Sequence, residues 1–144
     1  MNFLTNSKLT RVEPAAAAAQ SLLTGDIVDM QSFDAVTFIA FLGDVLDTAV
    51  LTLQAQQGDQ SDGSDATNLP GVLATFTADA TSADNNMLAV EIARPTKRFL
   101  RVTLTRATAN AAVDGIVAVQ SNPAEAPVTQ DTSVLATDFA LSPT

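Results

Sequence analysis

A chain of 144 residues with 47% apolar side chains is long enough for one domain around an ordinary hydrophobic core. Its 7 Lys and Arg stand against 16 Asp and Glu, a formal net charge of −9, which disfavours both a nucleic-acid backbone and an anionic membrane surface as partners. With no His and no Cys, the usual general base near neutral pH, the Ser–His–Asp arrangement, the thiol nucleophile, zinc and iron–sulfur ligand sets and disulfides are all excluded, so a non-catalytic protein without a cofactor is expected.

Met1 through Arg11 lacks the basic-then-apolar order of a secretory signal, and no run approaches the length of a transmembrane helix. Synthesis in the cytoplasm is expected. Residues 1–31 read as an N-terminal arm. Within it, Pro14 and the run Ala15 to Ala19 suit the start of a helix, but so short a helix is marginal in water, and the extended alternative is preferred.

Residues 32–122 read as a β-sandwich domain. From Phe33 to Leu42 both alternating sets are apolar, Val36, Phe38 and Leu42 on one and Phe33, Ala35, Ile39 and Phe41 on the other. A strand of that kind needs cover on both faces, from its own domain or from a neighbouring copy. Gly43 to Asp47 reads as a turn. Thr48 to Gln57 alternates with Ala49, Leu51, Leu53 and Ala55 on one side, the pattern of a half-exposed strand. Gly58 to Asn68 is a polar loop with a tight turn at Asp62-Gly63, Val72 to Thr77 is a short strand, and Asp79 to Asn86 is polar. Met87 to Ala93 places Leu88, Val90 and Ile92 on one face; Phe99 to Arg106 points Leu100, Val102 and Leu104 inward and Arg101, Thr103 and Thr105 outward; Gly115 to Gln120 is a last apolar strand. Strands at this spacing, with no amphipathic helix between them, predict an all-β antiparallel sandwich or jelly roll. Residues 123–144 hold Pro123, Pro127 and Pro143 and no clear period, and read as a C-terminal arm able to dock on another surface.

Asp59, Asp62 and Asp65 superficially resemble a calcium loop, but the EF-hand spacing and its closing Glu are missing, so a solvated turn is the preferred reading and no metal site is expected. Five of the seven basic residues, Arg94, Lys97, Arg98, Arg101 and Arg106, fall close together. They form either a patch that pairs with carboxylates across an interface or an internal counterweight to the aspartates. There is no glycine-rich phosphate loop, and no aromatic residues interleave with basic ones to make a base-stacking platform.

Four stretches carry a resemblance: Val28-Asp29-Met30-Gln31-Ser32-Phe33-Asp34-Ala35-Val36-Thr37-Phe38, then Gln56 to Gly63, then Arg94-Pro95-Thr96-Lys97-Arg98-Phe99-Leu100-Arg101-Val102, and Ala126-Pro127-Val128-Thr129-Gln130-Asp131. Across roughly residues 28–135 the chain resembles small structural proteins encoded by tailed phages. Members of that family often carry Tyr where this chain has Phe99. The resemblance implies a virion component with a β-sandwich domain, a decoration or cement protein on the capsid exterior, with no enzyme activity and no cofactor. Its partners would be the major capsid protein or other virion subunits, and its own state a homo-oligomer, a trimer being the first choice because closed symmetry matches a shell's axes. Phe33, Phe38, Phe41, Arg94, Lys97, Arg98, Arg101, Pro127 and Val128 are the candidate interface residues. The alternatives are a head–tail or tail component, or an exterior carbohydrate- or receptor-binding module; the latter is disfavoured by the lack of Trp and Tyr to stack on sugar rings.

Overall fold

The computed structural model describes residues 2–142; Met1, Pro143 and Thr144, which belong to the expected arms, lie outside the described residues. A four-residue helix, α1 (Phe3–Asn6), capped by the Asn2 side chain, precedes ten strands: β1 (Ser7–Glu13), β2 (Ala16–Ala19), β3 (Leu23–Thr24), β4 (Val28–Asp29), β5 (Phe33–Val45), β6 (Val50–Gly58), β7 (Thr67–Thr77), β8 (Met87–Ala93), β9 (Phe99–Ala107) and β10 (Ala111–Pro123).

Their pairing is that of one long hairpin rolled up. At its tip β6 pairs with β7; behind the tip β5 pairs with β8, β3 and β4 pair with β9, and β1 and β2 pair with β10, every pair antiparallel. Rolling the ribbon brings β10 against β5 and β9 against β6. Two sheets result, in the order β1-β10-β5-β8, with β2 also on β10, and β3-β9-β6-β7, with β4 also on β9. This is the jelly-roll solution to burying one face of each sheet.

The core follows from strand alternation. Val36, Phe38, Ala40 and Leu42 of β5 and Ile116 and Ala118 of β10 face Leu51, Leu53 and Ala55 of β6 and Leu100, Val102 and Leu104 of β9, all buried. Two polar side chains tie the sheets together from inside. Gln120 Nε2 donates to the Asp29 carbonyl at 2.8 Å, linking β10 to β4. Arg106, only 4% exposed, donates to the carbonyls of Ala17 (2.8 Å), Ser21 (3.1 Å) and Ala111 (2.8 Å) and to Ser21 Oγ (2.6 Å). A buried guanidinium with every neighbour an oxygen acceptor is a structural clamp.

The structure differs from the sequence reading at three places and agrees with it at a fourth. Residues 7–29 do not stand away from the domain as an arm: Val12 is buried, and the segment crosses from the first sheet to the second as β1 to β4. The extended reading of Ala15 to Ala19 is the one observed, since Ala16 and Ala19 pair with Val113 and Ala111. The turn expected at Gly43 to Asp47 begins later. Gly43 stays in β5 at the register shift opposite Ala111–Val113 of β10, Val45 is buried, and the chain reverses at Leu46–Ala49 with Thr48 at φ 72°. Finally, β7 and β10 are longer than expected. β7 carries on through Pro70 and Gly71 (φ 76°), where a register shift against Gln54–Gln56 absorbs the irregularity.

Candidate functional site

Three regions of the surface draw together the residues singled out by sequence. At one end of the sandwich a concavity of about 470 Å³ lies between β4–β5 and the β8–β9 connection, walled by Met30 and Phe33 and rimmed by Arg94, Lys97 and Arg98. Most of the charge here is spent internally. Lys97 Nζ lies 2.8 Å from Asp59, and Arg98 grips Asp29 with two 2.8 Å hydrogen bonds while also donating to Gln31 Oε1 at 2.6 Å. The guanidinium of Arg98 sits 5.0 Å from the ring centre of Phe99. The hydrogen bonds from Arg98 hold the Asp29 carboxyl below its ordinary range, helped by the Gln31 backbone N–H. Arg101 donates to Gln56 Oε1 at 2.8 Å, and Arg106 is inside the fold. Of the basic cluster, Arg94 is exposed with no side-chain partner among the described residues, on a backbone at φ 50°. For Lys97 and Arg98 the internal counterweight is therefore what the structure displays. Both pairs are exposed, and exposed pairs contribute at most about 1 kcal/mol.

The acidic loop at the hairpin tip is also turned on itself. Asp65 accepts from the backbone N–H groups of Asp59 and Gln60, and Asp62 from that of Ser64, which lowers both carboxyls below their ordinary range. Gly63 takes φ 76° in this turn. Among the described residues no group of three or more metal-ligating side chains comes together.

The second region is the side where the β7 and β8 edges face each other. A cleft of about 340 Å³ opens between the sheets there, lined by Leu42, Phe76, Ala83, Met87 and Leu88. Phe76 is 41% exposed and Met87 61%. Beside it, on the outer face of the first sheet, Phe41 (38% exposed) stands opposite Met87. Phe33 is half-buried against the core, and Phe38 is 0% exposed. Phe38 is thus corrected from candidate interface to core: it is on the inward set of β5, and no partner can reach it.

The third region is the C-terminal segment, which runs beside β1. Val128 donates its N–H to the Thr5 carbonyl at 2.9 Å, while Pro127 is exposed. Gln130 accepts from Leu9 N (2.7 Å) and donates to Ser7 O (2.7 Å) and Leu4 O (3.0 Å); Ser133 Oγ accepts from Arg11 N at 3.0 Å. These side chains satisfy the outward backbone groups of an edge strand that water or a foreign strand would otherwise take. After a turn closed by Val134 N to Asp131 O the segment leaves the surface. Leu135 is 96% exposed, Phe139 59% and Leu141 83%. Sequence reasoning missed Gln130, Ser133, Gln120 and Arg106. Of these Arg106 and Gln120 had a local signal, Arg106 being on the same alternating set as Leu100, Val102 and Leu104, and Gln120 on that of Ile116 and Ala118.

No protein-family model matches this chain, and no curated protein matches it. Among solved structures it is similar to one described as Bacillus endospore appendages forming a novel family of disulfide-linked pili, at 15% identity over 83% of this chain and 90% of that one, with a TM-score of 0.46. It is similar to a chain of infectious bursal disease virus Gx strain at 10% identity over 80% of this chain and 32% of that one, TM-score 0.49. The Eiger TNF of S. frugiperda gives 9% identity, coverage of 83% and 99%, and TM-score 0.37. At these scores the similarities carry no argument; the jelly roll rests on this chain's own strand pairing. No helix among the described residues is long and apolar enough to cross a membrane.

Proposed function

We propose that this protein is a non-catalytic structural subunit of a tailed-phage particle, a decoration or cement protein that binds the head shell through buried subunit interfaces. The observation that supports this most directly is the C-terminal segment. It is strapped to β1 through Gln130 and Ser133 and then presents Leu135, Phe139 and Leu141 to solvent, side chains whose burial on a neighbour would each contribute on the order of 1–3 kcal/mol. Placed in many copies on a repeating lattice, such modest contacts add through effective concentration. The jelly roll beneath supplies a rigid platform, and the net charge of −9 favours a shell surface that is locally basic.

Adding the purified protein to bare heads tests this. Saturable binding in a fixed ratio to shell subunits, with a raised melting temperature of the particle, is the expected result. Binding to the tail or the head–tail junction alone would move the protein within the particle, and glycan binding without any binding to particles would overturn the reading.

A further inference from the structure

We propose that residues Val134–Leu141 of one copy add as a strand to the β7 edge of a second copy, seating Leu135, Phe139 and Leu141 in the cleft between β7 and β8. This deepens the proposed function by naming the partner of the exposed tail as the chain itself.

The edges of the sandwich differ in how they are protected. The β1 edge is covered by the Gln130 and Ser133 side chains of its own tail. β3 and β4 are two residues each, and β8 carries the charge of Glu91. β7 has eleven residues, most of them exposed, and no charged side chain. Pro70 and Gly71 disturb its first half, but from Leu73 to Thr77 it keeps regular register with Gln54 to Val50 and pairs with no strand on its other side, which faces β8 across the cleft. A long, uncharged, regular edge is the kind that accepts another strand. Immediately beside it lies the apolar cleft, with both Phe76 and Met87 exposed to solvent.

The tail matches that edge. Leu135, Thr137, Phe139 and Leu141 share one side of an extended segment, and Ala136, Asp138 and Ala140 share the other, so strand addition buries the apolar set and leaves Asp138 in water. Residues 135–142 make no backbone hydrogen bond to the rest of the chain among the described residues, so their donors and acceptors are available.

The occupant is a second copy because the tail cannot reach its own β7. It is anchored at β1, the edge of the first sheet opposite β8. Crossing three strand spacings takes about 14 Å and stepping to the other sheet about 10 Å more. The eight residues from Val134 to Leu141 extend at most about 28 Å, which leaves almost none to pair. A head-to-tail contact of this kind closes into a ring when its rotation permits.

Sedimentation of the full chain over a wide concentration range, together with cysteine crosslinking, tests the inference. The wild type is expected to associate with rising concentration, and a Phe139→Asp/Leu141→Asp variant to associate at least about tenfold more weakly while melting at the wild-type temperature. Since the chain has no Cys, mixing Thr137→Cys protein with Met87→Cys protein gives a disulfide only between copies; that yield is expected to exceed the yield with Lys8→Cys on β1. A chain that stays monomeric throughout, undiminished association of the double variant, or equal crosslinking to Lys8→Cys would overturn it. A strict monomer that still binds bare heads would sink this inference and leave the proposed function standing; self-association without head binding would do the reverse.

Discussion

Gln130 accepts the backbone N–H of Leu9 at 2.7 Å, and the same amide donates to the carbonyl of Ser7 at 2.7 Å. One side chain thereby copies the donor and acceptor face of a strand along the outer edge of β1. Gln130→Ala removes that cover. The loss is expected to be about 1–2 kcal/mol, read as faster amide exchange at Leu9 and earlier protease cleavage near residue 131, with the core strands unchanged.

Arg106 is the deeper tie. Its guanidinium joins β9 to β2 at Ala17, to Ser21 just beyond it, and to the first residue of β10. Arg106→Met leaves the buried Ala111 carbonyl and the partly buried carbonyls of Ala17 and Ser21 without this donor, and a cost of about 3 kcal/mol is expected in urea unfolding. If stability stays within about 0.5 kcal/mol of wild type, those oxygens are reached by water and the clamp is not structural.

Phe38 and Phe41 separate core from surface on one strand. Phe38→Ala opens a cavity between the sheets and should cost about 3–5 kcal/mol. Phe41→Ala, at a position already 38% exposed, should barely shift the melting temperature while weakening attachment to a partner. Equal destabilisation by both would mean the outer face of the first sheet is part of the folded core.

Acid should loosen the tail before the sandwich. Hydrogen bonds from the Ser133 hydroxyl and N–H hold the Asp131 carboxyl below its ordinary range. A carboxyl lowered in the folded state contributes stability that is present above its unfolded value of about 4 and is lost as pH falls through the folded value. Ser133 in turn holds Arg11, so protease sensitivity of the tail should rise below about pH 4. Glu13 has the opposite sign: burial first, then Asp26, raises its carboxyl, with Arg106 opposing. Its contribution is present below the unfolded value of about 4.3 and lost as pH rises through the raised folded one. Glu13→Gln should therefore raise the melting temperature at pH 7 and have no effect near pH 3.

Much of the sandwich is legible in the sequence because β8 and β9 alternate cleanly. Leu88, Val90 and Ile92 and then Leu100, Val102 and Leu104 set both register and facing. The N-terminal strands are not legible in the same way. β3 and β4 are two residues long, below the length of any periodic window, and β2 is four alanines. Their place is set by partners on β9 and β10, far along the chain. Gln130 is harder still, since its bond to Leu9 spans 121 positions and its neighbours in sequence carry no period. Arg106 was within reach, for strand parity puts it beside Leu104's inward set; its charge drew attention to the surface instead.

The most direct measurement is titration of bare phage heads with the wild-type chain and with a chain lacking residues 134–144. The full chain should saturate the heads at a fixed ratio and raise their melting temperature, and the shortened chain, still folded, should do neither. Equal binding by both chains, or no saturable binding by the full one, would contradict the claim that the exposed tail works as a strap between subunits.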